Sequence, residues 1–378
     1  MIQSPVYHAL KTLACALVDP QLDTDALTLA LANVDDWHLL AEQAEIHGLS
    51  VMLGRFAKEK ELALPRAFDL QLKALTIRHQ KTHAARTKVL ADVIDCFDEN
   101  NITFALLKGA ALAQLIYTPA WIRPMRDIDI LVSPDKAMKA QKLLRSVGFE
   151  NEDSKTGYLS EHHHLPNSTR TQDDFLISLE VHHDALSGDV DAAINFNNLQ
   201  SPLQTFTLAP IDADNHDETL AYALGHADML KHLCHHTFEP ANVIKLGSMV
   251  DFVKYAHHFH DEIDWQNIDK QANISNALRC IHGLISLPEP LRTTLKAGDA
   301  SSKLKSKGQG FMPLSQITDL SSKTQKLRTL LLPSAWWMHI FYNIEPRQSL
   351  LWARSVRHPL TVIKWLIRRY TAARRNPD

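Results

Sequence analysis

The sequence predicts an α+β protein in which a small mixed sheet is flanked by N- and C-terminal helical regions. Three runs carry that reading. Ile102-Thr103-Phe104-Ala105-Leu106-Leu107 is an apolar strand closed by Lys108-Gly109. Arg126-Asp127-Ile128-Asp129-Ile130-Leu131-Val132 sets two acids among β-branched and aliphatic residues, and Phe175 to His182 alternates in the same manner. Strand side chains alternate faces at a rise of about 3.3 Å per residue, so Asp127 and Asp129 share one face roughly 6–7 Å apart. By the same rule Leu176, Ser178, Glu180 and His182 lie opposite Ile177, Leu179 and Val181.

The elements follow in order. Residues 1–85 read as helices, with Leu39, Leu40, Ala44 and His47 in helical period and glycine scarce. Residues 86–206 carry the mixed core. There a helix with Val89, Leu90, Val93, Ile94 and Phe97 on one face feeds the strand at 102–107. A second helix runs from about Ala110 to Tyr117 and is stopped by Pro119. A third opens with Ser133 as N-cap and Pro134 in its first turn, and ends at Gly148. Residues 207–295 return to helices, with Leu220, Leu224, Leu230 and Leu233 as the apolar repeat. Residues 296–325 are rich in lysine, serine and glycine and read as a polar linker, and 326–378 as an aromatic and basic helical tail.

Composition bounds the class. The chain has 378 residues, 45% hydrophobic and 22% charged, with a formal net charge of −3, which suits two or three domains with real cores. Cys15, Cys96, Cys234 and Cys280 lie far apart with no Cys-x-x-Cys pair, so a reducing, cytoplasmic compartment is expected. Met1-Ile2-Gln3-Ser4-Pro5 lacks the basic start and apolar core of a signal peptide. The apolar run near Leu330 to Ile344 contains Pro333 and His339 and is too short to span a bilayer.

Alternating acids on a strand are often no more than a solvated face. Three features here argue for chemistry instead. Arg126 precedes the pair and can engage a phosphate or hold a carboxylate. The Lys108-Gly109 turn stands where a backbone must approach something closely. Glu180 adds a third acid on another strand. Three carboxylates from neighbouring strands can hold a hard divalent cation, or two of them, through oxygen ligands. Phosphoryl transfer asks the protein mainly for charge neutralisation and in-line positioning, which such a site supplies.

These residues carry a family resemblance. Leu107-Lys108-Gly109-Ala110-Ala111-Leu112, Arg123 to Val132 with its Asp-x-Asp, Gly148-Phe149, and Leu179-Glu180-Val181-His182 resemble the nucleotidyltransferase superfamily with the minimal polymerase-β-like fold. Within it the chain is most similar to the bacterial group called uncharacterised nucleotidyltransferases. Asp36-Trp37-x-x-Leu40-Ala41-x-x-Ala44-x-x-His47-Gly48-Leu49 matches that group's helical N-terminal segment, and His226 to Phe252 its helical C-terminal one. The resemblance spans roughly residues 30–275.

The resemblance implies a nucleotidyltransferase core and magnesium- or manganese-dependent transfer of a nucleoside monophosphate from a nucleoside triphosphate such as ATP. Asp127 and Asp129 match the two metal-binding acids and Glu180 the third, serving as ligand or as general base. Lys108-Gly109 matches the turn that carries the nucleotide phosphates, with Arg126 beside it. Better-known members have Gly-Ser there, whereas Ala110 follows the glycine in this chain, which raises the question of whether Lys108 replaces the hydroxyl contact. His182 shares the strand face with Glu180 and stands ready to orient it. His164 lies where related sequences carry a histidine upstream of the third-acid strand. The acceptor is a small metabolite or sugar, or a macromolecule such as tRNA or protein; fold alone does not choose. The competing class is a non-catalytic nucleotide-binding module with the same fold, and the retention of all three acids favours the enzyme.

Two features lie outside that motif set. Histidines cluster at His162-His163-His164, His182-His183, His235-His236 and His257-His258 with His260. Their spacing lacks the cysteine partners of structural zinc, so apart from His182 and His164 they read as surface or packed residues. From Arg354 to Asp378 seven arginine and lysine residues face one acid, with Trp352 and Trp365 nearby. A helix of that composition can rest on an anionic membrane or hold nucleic acid, or pack on its own domain.

Overall fold

A computed structural model describes residues 4–19, 24–152, 162–186, 193–208, 219–238, 245–268 and 274–295. Beyond these it describes 331, 332, 338, 342, 344, 348–364 and 367. The expected linker at 296–325, Trp336, Trp337, Phe341, Trp365 and the basic residues after 367 lie outside the described residues. The chain divides into two compact units. One comprises 37–233 with 254–263, and the other 1–36, 234–253 and 264–378.

The first unit holds a six-stranded mixed sheet of order β3-β4-β2-β1-β6-β5. Its strands are β1 Phe104–Leu106, β2 Asp127–Val132, β3 Ser168–Gln172, β4 Phe175–His182, β5 Gln204–Thr207 and β6 Leu220–Ala223. β2 is central, antiparallel to β1 and parallel to β4. The alternation read from sequence explains the burial. Ile177, Leu179 and Val181 are at most 1% exposed, as are Ile128 and Ile130 of β2. Burying each such side chain stabilises by about 1.5–3 kcal/mol. β2 is apolar on both faces beyond Asp129, because Leu131 is as buried as its neighbours.

Helices α3 Trp37–Ile46 and α4 Ser50–Glu59 precede α5, which runs unbroken from Arg66 to Glu99. α3 is stopped by a glycine turn. Gly48 adopts φ +71 and Leu49 N–H closes onto the Ala44 carbonyl, an αL cap that glycine takes without strain. With 34 residues, α5 is about 50 Å long. It buries Val89, Leu90, Val93, Ile94 and Phe97, as their spacing predicts. Position 85, where a boundary was expected, falls inside it.

Three expectations change. α6 spans Lys108–Ile116, so Lys108 and Gly109 form its first turn rather than a separate loop. Ser133 does not cap the next helix: its hydroxyl bonds the Asp135 carboxylate, the chain turns once through 134–136, and α7 begins at Ala137. That helical stretch still ends at Gly148, in the left-handed region at φ +84. Leu220 to Leu233 is not one helix. Leu220 starts β6, which pairs in parallel with β1, and the helix α8 His226–Phe238 follows after a break at Gly225. A Cβ on Gly225 would sit 2.3 Å from the Pro202 carbonyl oxygen, so a close backbone approach, not helical period, governs that site.

In the second unit, α1 Pro5–Val18 buries Leu10, Leu13 and Ala14. Its start is capped by the Ser4 hydroxyl, which accepts from Tyr7 N–H at 3.2 Å. All four cysteines are free thiols. Among the described residues no helix is long and apolar enough to cross a membrane.

Candidate active site

The register of β2 and β4 builds the site. Asp129 pairs with Glu180, Leu131 with His182 and Asp127 with Ser178. In a parallel pair, partners at one register position project to the same face, so Asp129, Glu180 and His182 converge. β1 contributes through its exit: Leu107 N–H bonds the Asp129 carbonyl at 3.0 Å, which sets the first residue of α6 beside that acid. Lys108 Nζ then reaches Asp129 Oδ2 at 3.3 Å. Lys108 does this at φ +39, a conformation that costs a non-glycine residue about 1–2 kcal/mol.

His182 Nε2–H donates to Asp129 Oδ1 at 2.9 Å and lies 3.5 Å from Glu180 Oε2. Each of Asp129, Glu180 and His182 offers a ligand atom within 4.8 Å of the others, the spacing a shared cation needs. Asp127 is not part of this trio and stands one register step away.

The electrostatics separate the three acids. Burial raises the Asp127 carboxyl, and the charges of Asp129 and Glu180 raise it further against the pull of Lys108. The hydrogen bond from His182 brings the Glu180 carboxyl down despite its burial. Burial works against a charged His182, yet its bonds to Asp129 and Glu180 outweigh that and raise its pKa. Asp129 and Glu180 are thus engaged by Lys108 and His182, while the surroundings of Asp127 disfavour its charge. A hard divalent cation fits such a donor set of carboxylates with one imidazole.

Other sequence candidates are placed as follows. The Arg126 side chain is exposed. The buried arginine behind the acids is Arg86 of α5, which donates to the Arg126 carbonyl at 3.1 Å. Burial lowers the Arg86 pKa to about 10, and the charge of Asp127 opposes that fall. Arg86 and His83 line a cavity of about 10 Å³ beside Ile128 and Ala110, enough for about one water molecule. Gly109 is closely approached by a side chain of the chain itself. A Cβ there would sit 2.3 Å from Arg123 Nη1 and 3.2 Å from Met125 Cβ, so the close approach is by the Arg123 side chain.

His164 forms an isolated bridge with His182, and their rings lie 5.2 Å apart. His163 joins them, 4.6 Å from His164 and 5.4 Å from His182. Burial, aided by the neighbouring His182, lowers the His163 pKa to about 3, so it is neutral at physiological pH. The reading of His163 as a packed residue did not foresee that it packs on the ring of His182. The one available signal was that His162-His163-His164 precedes the third-acid strand. Arg86 had no signal, since it lies on a helix forty residues before Arg126.

The model of the family described as uncharacterised nucleotidyltransferase matches residues 33–291. The chain belongs to that family. The match takes in α3 to α7, the whole sheet and α8, and it includes Lys108, Asp127, Asp129, Glu180 and His182. Among curated proteins, none matches the chain. A solved structure, an antigenic nucleotidyltransferase-like protein from Paracoccidioides brasiliensis, aligns over 56% of this chain and 93% of that one. Its identity is 16% and its TM-score 0.35, a likeness that carries no argument.

Proposed function

We propose that this nucleotidyltransferase-family chain is an active enzyme that moves a nucleoside monophosphate from a nucleoside triphosphate to an acceptor hydroxyl or phosphate. The observation that carries the reading is the in-register placement of Asp129 beside Glu180, with Asp127 two residues back and Lys108 at the mouth of α6. Asp127, Asp129 and Glu180 would hold magnesium or manganese, with His182 fixing Asp129 or joining the donor set. The bound cation would supply charge neutralisation on the triphosphate.

The chain's own groups supply the rest. The first amides of α6 lack a side-chain cap, and a nine-residue helix presents partial positive charge to a phosphate at that end. Lys108, released from Asp129, would turn to the same phosphate in place of the hydroxyl that Ala110 lacks. Glu180 is better suited to hold a cation than to take a proton. A carboxylate whose pKa is lowered by His182 is a weaker base than an ordinary one, and general-base efficiency follows basicity.

The test is incubation with each nucleoside triphosphate, labelled at the α-phosphate, with magnesium or manganese and cell extract. Release of pyrophosphate with label in a new product, lost in Asp129→Ala, supports the proposal. Triphosphate binding without pyrophosphate release under all these conditions sinks it in favour of a non-catalytic nucleotide-binding module. Product size separates a small acceptor from tRNA or protein.

A further inference from the structure

The C-terminal segment carries a feature unconnected with the acids. Residues 351–364 are helical, with a π-helical stretch at Ala353–Arg357. One side of this helix is pinned. Ala353 packs with Met338 and Tyr342, and Val362 is buried. The Tyr342 hydroxyl and His358 Nδ1 are hydrogen-bonded at 2.9 Å. Arg357 donates to the Tyr342 carbonyl at 3.1 Å and lies over its ring at 4.8 Å. The other side is apolar and faces outward. Trp352, Val356, Leu360, Ile363 and Ile367 are 63%, 42%, 52%, 50% and 57% exposed, and Leu351 reaches 76%. Spacings of four, four, three and four residues put Trp352 to Ile367 along one stripe of a helix.

A stripe of this kind on a pinned helix marks an interaction surface, because soluble chains seldom expose contiguous aliphatic side chains. The chemistry around it selects the partner. Arg354 and Lys364 are exposed beside the stripe. From Arg347 to Pro377 the sequence has eight arginine and lysine residues and no acid. A second copy would bring these positive flanks together with no carboxylate to pair them. Nucleic acid would take the charges, but it stacks on aromatic rings and has no use for exposed valine, leucine and isoleucine. A bilayer with anionic headgroups takes both: the acyl boundary accepts the aliphatic stripe and the headgroups accept the cations.

We propose that the outward face formed by Leu351, Trp352, Val356, Leu360, Ile363 and Ile367 seats this protein on an anionic membrane surface, lying in the interface plane. The full-length protein should sediment with vesicles of phosphatidylserine and phosphatidylcholine, less with phosphatidylcholine alone, and less again at high salt. The double variant Leu360→Ser/Ile363→Ser removes apolar area without touching charge, and partitioning should fall about tenfold or more. Arg354→Gln/Lys364→Gln should weaken binding to the anionic vesicles by about tenfold and leave the small binding to neutral ones unchanged. All four side chains are exposed, so melting curves should overlay that of the parent.

Intact protein that ignores anionic vesicles at low salt overturns the proposal, as does vesicle binding that both variants retain. Concentration-dependent dimerisation abolished by Leu360→Ser/Ile363→Ser, or salt-sensitive RNA binding with no lipid binding, would also overturn it by assigning the face to another partner.

Discussion

His182 and Asp129 form a buried pair across β2 and β4, with Nε2 and Oδ1 2.9 Å apart and the two side chains 1% and 3% exposed. A buried polar pair holds only where its members are fully engaged, since removing one partner leaves the other unsatisfied. Asp129 is engaged from two directions, by His182 and by Lys108. Asp127 is the opposite case, a carboxyl disfavoured by burial and by Asp129. Neighbouring acids of one motif therefore differ in what they contribute to the fold.

That difference predicts opposite stability effects. Asp129→Ala strips His182 of its nearer acceptor and should destabilise the protein by about 1–3 kcal/mol while abolishing turnover. Asp127→Asn removes an ion that the fold disfavours. Because the folded pKa of Asp127 is raised, its ionised form costs stability at neutral pH, so Asp127→Asn should melt at the same or a higher temperature, again without turnover. Manganese should raise the melting temperature of the parent more than that of Asp127→Asn. Thermal melts with and without cation check all three, and a lower melting point for Asp127→Asn would refute the charge argument.

Glu180 offers a choice between two roles that kinetics can resolve. If it holds a cation, Glu180→Gln should raise the metal concentration needed for half-maximal rate, and excess manganese should restore much of kcat. If it is the general base, kcat should fall by about 10²–10⁴-fold at every metal concentration. The lowered pKa of Glu180 favours the first result. A metal titration of initial rates decides between them.

Acid sensitivity should have an origin remote from these groups. Glu45 of α3 accepts from His79 at 2.9 Å and pairs with Arg78 at 3.1 Å. Burial would raise its pKa, but the bonds from His79 and Ser50 and the charges of His79 and Arg78 bring it down to about 2. A depressed carboxyl contributes stability that is fully present above its unfolded value, near 4.5, and is lost as pH falls toward 2. Glu45→Gln should therefore be less stable than the parent at pH 6, and the difference should shrink below pH 4.5 and close only as pH falls through about 2. Denaturant melts across that range measure the convergence, and a constant difference would show that ionisation of Glu45 is not what matters.

The strands and their acids were legible because period two is a strong signal over eight residues, as in Phe175 to His182, and because a one-residue slip would bury the acids. Gly148 was legible as a helix end, because a glycine after an apolar helical stretch suits the left-handed position it occupies at φ +84. The rest needed pairings distant in sequence. Nothing local says that Leu220 sits in a strand, because four residues beside β1 and β5 are held by their neighbours rather than by their own pattern. The histidine cluster was hidden for the same reason. His164 meets His182 only through a bridge between segments eighteen residues apart. Arg86 reaches the Asp-x-Asp strand from a helix whose spacing shows it merely as one more buried position.

Gly109 lets two reasons for a glycine be told apart. Gly109→Ala places a methyl group on Arg123 Nη1 and close to Met125 Cβ. The guanidinium is the far end of a flexible side chain and can swing away, while Met125 must yield by a few tenths of an ångström. Exchanging glycine for alanine in a helix stabilises by roughly 0.5–1 kcal/mol, which offsets part of that strain, so net stability should change little. Function should change more, since Arg123 would leave the amino end of α6 where the proposed phosphate binds. Triphosphate affinity in Gly109→Ala should fall to about that of Arg123→Ala, and Gly109→Ala/Arg123→Ala should be no weaker than Arg123→Ala alone. Calorimetric titration of the three variants measures this. Additive losses would mean that the glycine is needed for direct approach of the phosphate, and that its contact with Arg123 is incidental.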